Sequence, residues 1–216
     1  MTSERTHGLF VTLEGGEGAG KSTQLAALAE RARALGVETV TTREPGGTPL
    51  GERLRDALLT SEDGETDVRA ELLVFAASRA QLVGELIRPA LARGTLVICD
   101  RFADSTVAYQ QYGRGLAPEV VAAAIDLATD GLAPDLTILL DLEASAGHAR
   151  SEVGDYLERE AGGFHERVRA GFAALAAAEP ERWLVIDAGL PVDEVTELAW
   201  VGVRARLDAA GVTSGS

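Results

Sequence analysis

Leu9-Phe10-Val11-Thr12-Leu13 is a short apolar, β-rich run that passes through Glu14 into Gly15-Gly16-Glu17-Gly18-Ala19-Gly20-Lys21-Ser22. The last eight residues fit G-x-x-x-x-G-K-[ST] at every fixed position. From Ser22 to Leu35, the residues Leu25, Leu28, Ala29, Ala32 and Leu35 recur at helical spacing. Strand, glycine loop and helix is the order a phosphate-binding loop requires. It aims free N–H groups and the positive end of the helix dipole at an anion. Lys21 is the only lysine in 216 residues, and the other nineteen full-time cationic side chains are arginines. A narrow phosphate cradle suits a compact ammonium better than a planar guanidinium fork. The expectation is a nucleoside triphosphate, ATP, held by residues 15–23, from Gly15 and Gly16 through Glu17, Gly18, Ala19 and Gly20 to Lys21, Ser22 and Thr23. Lys21 reaches the β- and γ-phosphates, and Ser22 ligates Mg2+. The alternative is a glycine-rich turn with no ligand. The motif, its flanks and the lone lysine together weigh against it.

Outward from this loop, apolar strands alternate with helical patterns. Strands are read at Val37–Thr42, Thr95–Asp100, Leu136–Asp141 and Trp183–Asp187, five with the first. Helices are read at Leu50–Leu59, Val68–Ala92, Ser105–Gln111, Pro118–Thr129 and Val192–Ala209. Further helical pieces lie between Asp141 and Trp183, broken by Gly147, Gly154, Gly162 and Gly163. Alternating strands and helices predict an α/β fold with a parallel sheet covered on both faces. Ligands then gather at the carboxyl ends of the strands.

The net charge of −14 argues against a nucleic-acid partner, because duplex binding rests on basic surface. A mononucleotide needs only a few local arginines and Mg2+. One cysteine, Cys99, excludes an internal disulfide and a cysteine metal site; it reads as a small core residue. His7, His148 and His165 are scattered and suggest no metal centre. No apolar stretch approaches membrane-span length, and MTSERTHG lacks a signal peptide's apolar region, so a soluble cytoplasmic protein is expected. Trp183 and Trp200 read as packing residues, and residues 211–216 as a disordered tail.

Three strands end in aspartate. Asp100 is the choice for Mg2+, because Arg101 follows it and sets a cation for a second phosphate beside the metal's acid. Asp141 and Asp187 read as helix caps or acceptors for backbone N–H groups. Arg43, Arg79 and Arg101 are placed in the cleft, where a guanidinium fork suits phosphate oxygens and base acceptors. Arg53, Arg69, Arg88 and Arg93 read as solvated surface charges. Phe75 lies one helical turn before Arg79 on the same face. It could stack on a base, although spacing alone favours a core phenylalanine.

Three segments carry a family resemblance. Thr42-Arg43-Glu44-Pro45-Gly46-Gly47-Thr48-Pro49-Leu50-Gly51-Glu52 resembles the REPGG segment of bacterial thymidylate kinases. Asp100-Arg101-Phe102-Ala103-Asp104-Ser105-Thr106-Val107-Ala108-Tyr109-Gln110 is similar to that family's D-R-[aromatic]-x-x-S-x-x-A-Y-Q signature, and Phe75-Ala76-Ala77-Ser78-Arg79-Ala80-Gln81-Leu82 to a third of its segments. The similarity runs from about Leu9 to Asp187. It implies a three-layer P-loop nucleoside monophosphate kinase fold, one domain over residues 1–210, with a short lid near 148–160. It implies Mg2+-dependent transfer of the ATP γ-phosphoryl group to dTMP, and a homodimer. It also implies that Phe75 stacks on thymine, Arg79 contacts the base edge, and Gln110 and Thr106, with Ser105 nearby, line the base pocket. Arg43, Arg55 and Arg101 hold the dTMP phosphate, Glu44 lies near the metal, Glu17 faces the 3′-hydroxyl, and Tyr109 rejects a 2′-hydroxyl. Lys21, Arg43, Arg101 and Glu17 form the implied catalytic set, with an arginine from the lid.

The family carries its transition-state arginine either in the loop, at the position of Gly18, or in a basic lid after the fourth strand. Gly18 assigns this chain to the second pattern. Yet Arg150-Ser151-Glu152-Val153-Gly154-Asp155-Tyr156-Leu157-Glu158-Arg159 is shorter than usual, and Tyr156 stands where the family usually has arginine. Arg150 is the candidate replacement. The rivals are a kinase for another nucleotide or nucleoside, a GTP-driven switch, and a weakened nucleotide-binding protein. The second is excluded by its need for N-K-x-D in a chain whose lone lysine is Lys21. Arg150→Ala is expected to cut kcat by ~10³ or more while leaving dTMP affinity nearly unchanged. Steady-state kinetics showing parental turnover would remove Arg150 from the mechanism.

Overall fold

The computed structural model describes residues 8–59, 66–143 and 163–211. Strand β1 (Phe10–Glu14) is followed by helix α1 (Lys21–Ala34), β2 (Thr39–Arg43), α2 (Pro49–Leu59) and α3 (Val68–Leu82). A π-helical turn (Val83–Ile87) joins α3 to α4 (Arg88–Ala92). Then come β3 (Leu96–Asp100), α5 (Ala103–Thr106), a second π-helical segment (Val107–Gly113) and α6 (Pro118–Thr129). The chain ends with β4 (Leu136–Asp141), α7 (Phe164–Ala178), β5 (Trp183–Asp187) and α8 (Val192–Ala209). All pairings are parallel, in the order β2-β3-β1-β4-β5. This is the three-layer α/β arrangement expected from the sequence. The expected lid, with Arg150, Tyr156 and Arg159, and residues 212–216 lie outside the described residues.

Strand alternation sorts the core. Val11 and Leu13 of β1, Leu96 and Ile98 of β3, and Leu136, Ile138 and Leu140 of β4 face one layer. There they meet Leu28 and Ala32 of α1 and Val203 and Leu207 of α8. Intervening residues point the other way. Phe10, Val97 and Cys99 join Leu82, Ile87 and Phe102. Leu139 joins Tyr109, Phe164, Phe172 and Trp183. Cys99 is thus a core residue. On this second face the apolar alternation is interrupted by Thr12 and Thr137, whose hydroxyls lie 3.0 Å apart. Arg182 donates to Thr137 Oγ1 and Asp104 Oδ2, each at 2.7 Å, so the buried polar groups satisfy one another.

The two π segments depart from the sequence expectation. A single helix over Val68–Ala92 is expected, but proline at 89 has no N–H, and its ring would strike the carbonyl one turn back. The chain widens just before it: the Arg88 N–H reaches back to Val83 O. Similarly, Arg114 N–H bonds Tyr109 O at 2.8 Å. That wider turn sits within the segment carrying Tyr109 and Gln110, in keeping with the habit of π turns to lie at functional sites.

Phe172 is 1% exposed and packs edge-on to Tyr109, with ring centroids 6.3 Å apart. Phe172→Ala is expected to lower stability by about 3–5 kcal/mol, read as a reduced urea midpoint.

Candidate active site

The carboxyl ends of β1, β2 and β3 open into one cavity of about 540 Å³. Its walls are built from the segments singled out above. β1 ends buried at Glu14, and the chain turns at Gly15, where φ is +136° and a Cβ would lie 2.4 Å from Leu140 O. Only glycine fits there. Gly20 adopts a left-handed conformation (φ 87°) as the N-cap of α1 and offers no side-chain acceptor, so the first-turn N–H groups are left for a ligand. Glu17, Gly18, Gly20, Lys21, Ser22 and Thr23 face the cavity. Gly15 and Gly16 act from behind: their carbonyls accept from Lys21 Nζ at 3.3 and 2.7 Å. Ala19 packs into the core.

Lys21 is 8% exposed, and burial together with the neighbouring Arg101 charge lowers its pKa to about 8. Arg101 Nη1 donates to Gly15 O at 3.0 Å, so both cations meet one carbonyl oxygen. Arg101 holds φ at 70°, a region that costs a non-glycine residue of order 1–3 kcal/mol. Its surroundings fix it there. Arg101 N donates to Leu13 O at 2.9 Å, and Phe102 N donates to Glu14 Oε1 at 2.8 Å. Ser105 Oγ bridges, accepting from Arg101 and donating to Glu14 Oε2 at 2.6 Å. The Arg101 guanidinium also lies 5.1 Å from the Tyr109 ring centroid. Burial, with Asp104 adding to it, pushes the Glu14 carboxyl well up from the ordinary range.

Ser22 Oγ donates to Asp100 Oδ2 at 3.1 Å, giving two oxygens side by side at the mouth of the glycine loop. This hard-oxygen pair fits Mg2+, which in phosphoryl-transfer sites takes one or two protein oxygens, with phosphates and water for the rest. Glu44, expected near the metal, is 5% exposed and engaged elsewhere. Its Oε2 accepts from Arg79 Nε at 2.9 Å and Nη2 at 2.6 Å. Its Oε1 and Arg79 Nη1 are both buried without a partner. Burial raises the Glu44 pKa against the pull of Arg79.

Arg43, Arg55, Phe75, Arg79, Ser105, Thr106, Tyr109 and Gln110 all line the same cavity, as the resemblance implied. Arg43 is steered by Glu52 at 2.7 Å and Arg55 by Pro45 O at 3.1 Å. Phe75 is half-buried on the cavity wall and belongs to none of the core clusters, so the core reading favoured by spacing is set aside. Asp141 is paired with a side chain: its two oxygens accept from Arg169, at 2.7 and 2.9 Å, while the segment it was expected to cap lies outside the described residues. Asp187 accepts from Gly189 N at 2.7 Å, as expected of a backbone acceptor.

Three acids escaped the sequence reading. Glu14 ties the glycine loop to the Asp100–Phe102 turn. Glu52 accepts from Gly47 N at 2.8 Å while holding Arg43. Glu71, fully buried, accepts from Gln110 Nε2 at 2.8 Å and Arg114 Nη2 at 3.0 Å. The signal for Glu71 was available, because Glu71, Phe75 and Arg79 repeat at four-residue spacing along one helical face.

Comparison with known proteins agrees with this geometry. The family described as thymidylate kinase matches residues 13–199. A thymidylate kinase of Synechococcus sp. (strain JA-3-3Ab) is 56% identical over 94% of this chain and 98% of that protein. One of Deinococcus radiodurans is 51% identical over 93% and 98%. The crystal structure of thymidylate kinase from Ehrlichia chaffeensis superposes with a TM-score of 0.76 at 35% identity, covering 92% of this chain and 99% of that one. The chain therefore belongs to the thymidylate kinase family, whose members phosphorylate dTMP to dTDP with ATP and Mg2+.

Proposed function

We propose that the cavity is the site of that transfer, with its two ends divided between the two nucleotides. The observation that carries the reading is the convergence of Lys21 and Arg101 on Gly15 O. Two like charges held against one oxygen are tolerated in the free protein and strongly favoured once phosphates lie between them. The ATP tail lies along Gly18 to Thr23, with Lys21 at the β- and γ-phosphates. The acceptor phosphate lies among Arg43, Arg55 and Arg101. Thymine lies between Phe75, Thr106 and the Arg79–Gln110 edge. Glu17 faces the 3′-hydroxyl and Tyr109 the 2′ position.

The nucleophile is already a phosphate oxygen, so no general base is required. Holding two anions in line and neutralising their charge carry the acceleration. Ser22 and Asp100 hold Mg2+, which when bound neutralises charge on the phosphate oxygens. Arg150 supplies the lid cation. Leu73 of α3 and Val120 and Leu127 of α6 are exposed apolar residues on packed neighbouring helices, and they support a homodimer through that face. No helix among the described residues is long and apolar enough to cross a membrane.

Lys21→Ala is expected to reduce dTDP formation by ~10²–10³ or more. A coupled assay of ADP release with dTMP, dUMP and no acceptor measures this. Parental rates in the variant would overturn the reading. The same lysine sets a pH dependence. In the free protein it loses its proton as pH rises through about 8, whereas a bound triphosphate favours the charged form and raises that pKa. ATP binding at pH 8.5 is therefore expected to take up protons, and ATP affinity to fall as pH climbs further. Calorimetry in buffers of different ionisation enthalpy reads the uptake directly; zero uptake would contradict it.

A further inference from the structure

Two polar side chains that line the same cavity carry opposite hydrogen-bonding character. Arg79 contributes Nη1, a buried donor with no partner. The opposite group is Gln110, 1% exposed, which also lines the cavity. A glutamine amide can present either its NH2 or its oxygen to a ligand, and the choice decides what it reads. Here the choice is made from behind. Glu71 Oε1 accepts from Gln110 Nε2 at 2.8 Å, while Arg114 donates to Glu71 Oε1 at 3.3 Å and Oε2 at 3.0 Å. A carboxylate salt-bridged to arginine offers acceptors only, so turning the amide over would set oxygen against oxygen in a dry site. The amide is planar, so its Oε1 points away from Glu71, and among the described residues no donor reaches it.

We propose that Glu71 is the residue that sets pyrimidine specificity, by locking Gln110 as an acceptor beside the Arg79 donor. This rests on the cavity being the base pocket. A donor beside an acceptor matches the C4 carbonyl and protonated N3 of thymine or uracil. Cytosine presents the reverse, a 4-amino donor and a bare N3 acceptor, and mismatches both readers. Sites built to hydrogen-bond a particular edge reject its complement strongly because their own buried groups are left unpaired. Arg79 is braced in the same way by Glu44, so each reader is backed by a buried acid.

The test uses dUMP and dCMP, which differ only at C4 and N3, as competitive inhibitors of dTMP turnover. Competition by dUMP against the parental protein checks the pocket assignment by itself. Glu71→Gln lets the paired amides turn over together. Its ratio of inhibition constants, dCMP to dUMP, is expected to shrink at least tenfold. In a Gln110→Ala background the same substitution should no longer move the ratio. An unchanged ratio in Glu71→Gln, with dUMP still competing, would overturn the role of Glu71 and leave the pocket assignment intact. If that variant does not fold, the parental protein still decides. A neutron structure of the dUMP complex should keep the Gln110 NH2 on Glu71 and its oxygen on the base, whereas an NH2 turned to the base would refute the proposal.

Discussion

Everything in this cavity is arranged around one carbonyl oxygen. Gly15 O receives both the Lys21 ammonium and the Arg101 guanidinium. One cation opens α1 and the other follows β3, so the shared oxygen fixes how far apart the two can sit. Unit charges about 4 Å apart at an effective dielectric of about 20 repel by about 4 kcal/mol, which sets the scale for two cations that share one oxygen. That repulsion is part of why Lys21 holds its proton less firmly than an ordinary lysine. It is relieved when anions enter, which makes the free site an electrostatic template for bound phosphates. The parallel pairing of β1 with both β3 and β4 makes the arrangement possible, because it sets the glycine loop between two strand ends.

A chain of net charge −14 binds two anions because its acids are assigned to individual arginines. Glu52 holds Arg43, Glu44 holds Arg79, Glu71 holds Arg114, and Glu14 reaches Arg101 through Ser105. These pairs do not have equal weight. Arg43 and Glu52 are half exposed, and such a pair contributes little beyond orientation. Arg79 and Glu44 are nearly dry, so removing one partner strands the other at a cost of about 3–5 kcal/mol. The negative surface repels polyanions at long range, while the braced arginines remain attractive at short range in a low-dielectric cleft.

The fold was largely legible because its strands are continuous apolar runs between turn residues, and because the glycine loop fixes the first strand and helix. The arginines of the site were legible through residue type and motif. Less legible was anything depending on the far end of a side chain. Glu14 looks like one more polar residue before a glycine, yet its two oxygens join two loops separated by almost ninety residues in sequence. Asp141 ends a strand just as Asp100 does, but its carboxylate is paired with Arg169 on α7. Local patterning carries no information about which helix crosses above a strand end. The π turns were hidden for the opposite reason. Their cause is local, at Pro89 and around Tyr109, but a one-residue widening leaves the apolar spacing nearly unchanged.

The strain at Arg101 links these points. A positive φ at an arginine persists only where neighbours over-determine it. Four contacts do so here: Leu13 O on its N–H, Cys99 Sγ on its carbonyl, Glu14 on the next N–H, and Gly15 O on its side chain. Three of these partners belong to β1 or the glycine loop that follows it. The turn that carries Arg101 is therefore moulded on the element that carries Lys21. A change that loosens one displaces the other, so the two cations are held by a single local structure rather than by two independently placed halves. Phosphoryl transfer draws its rate from position, and misplacement of about 1 Å can cost ~10²-fold. The strained residue is then best understood as the cost of tying the turn after β3 to β1 and its glycine loop.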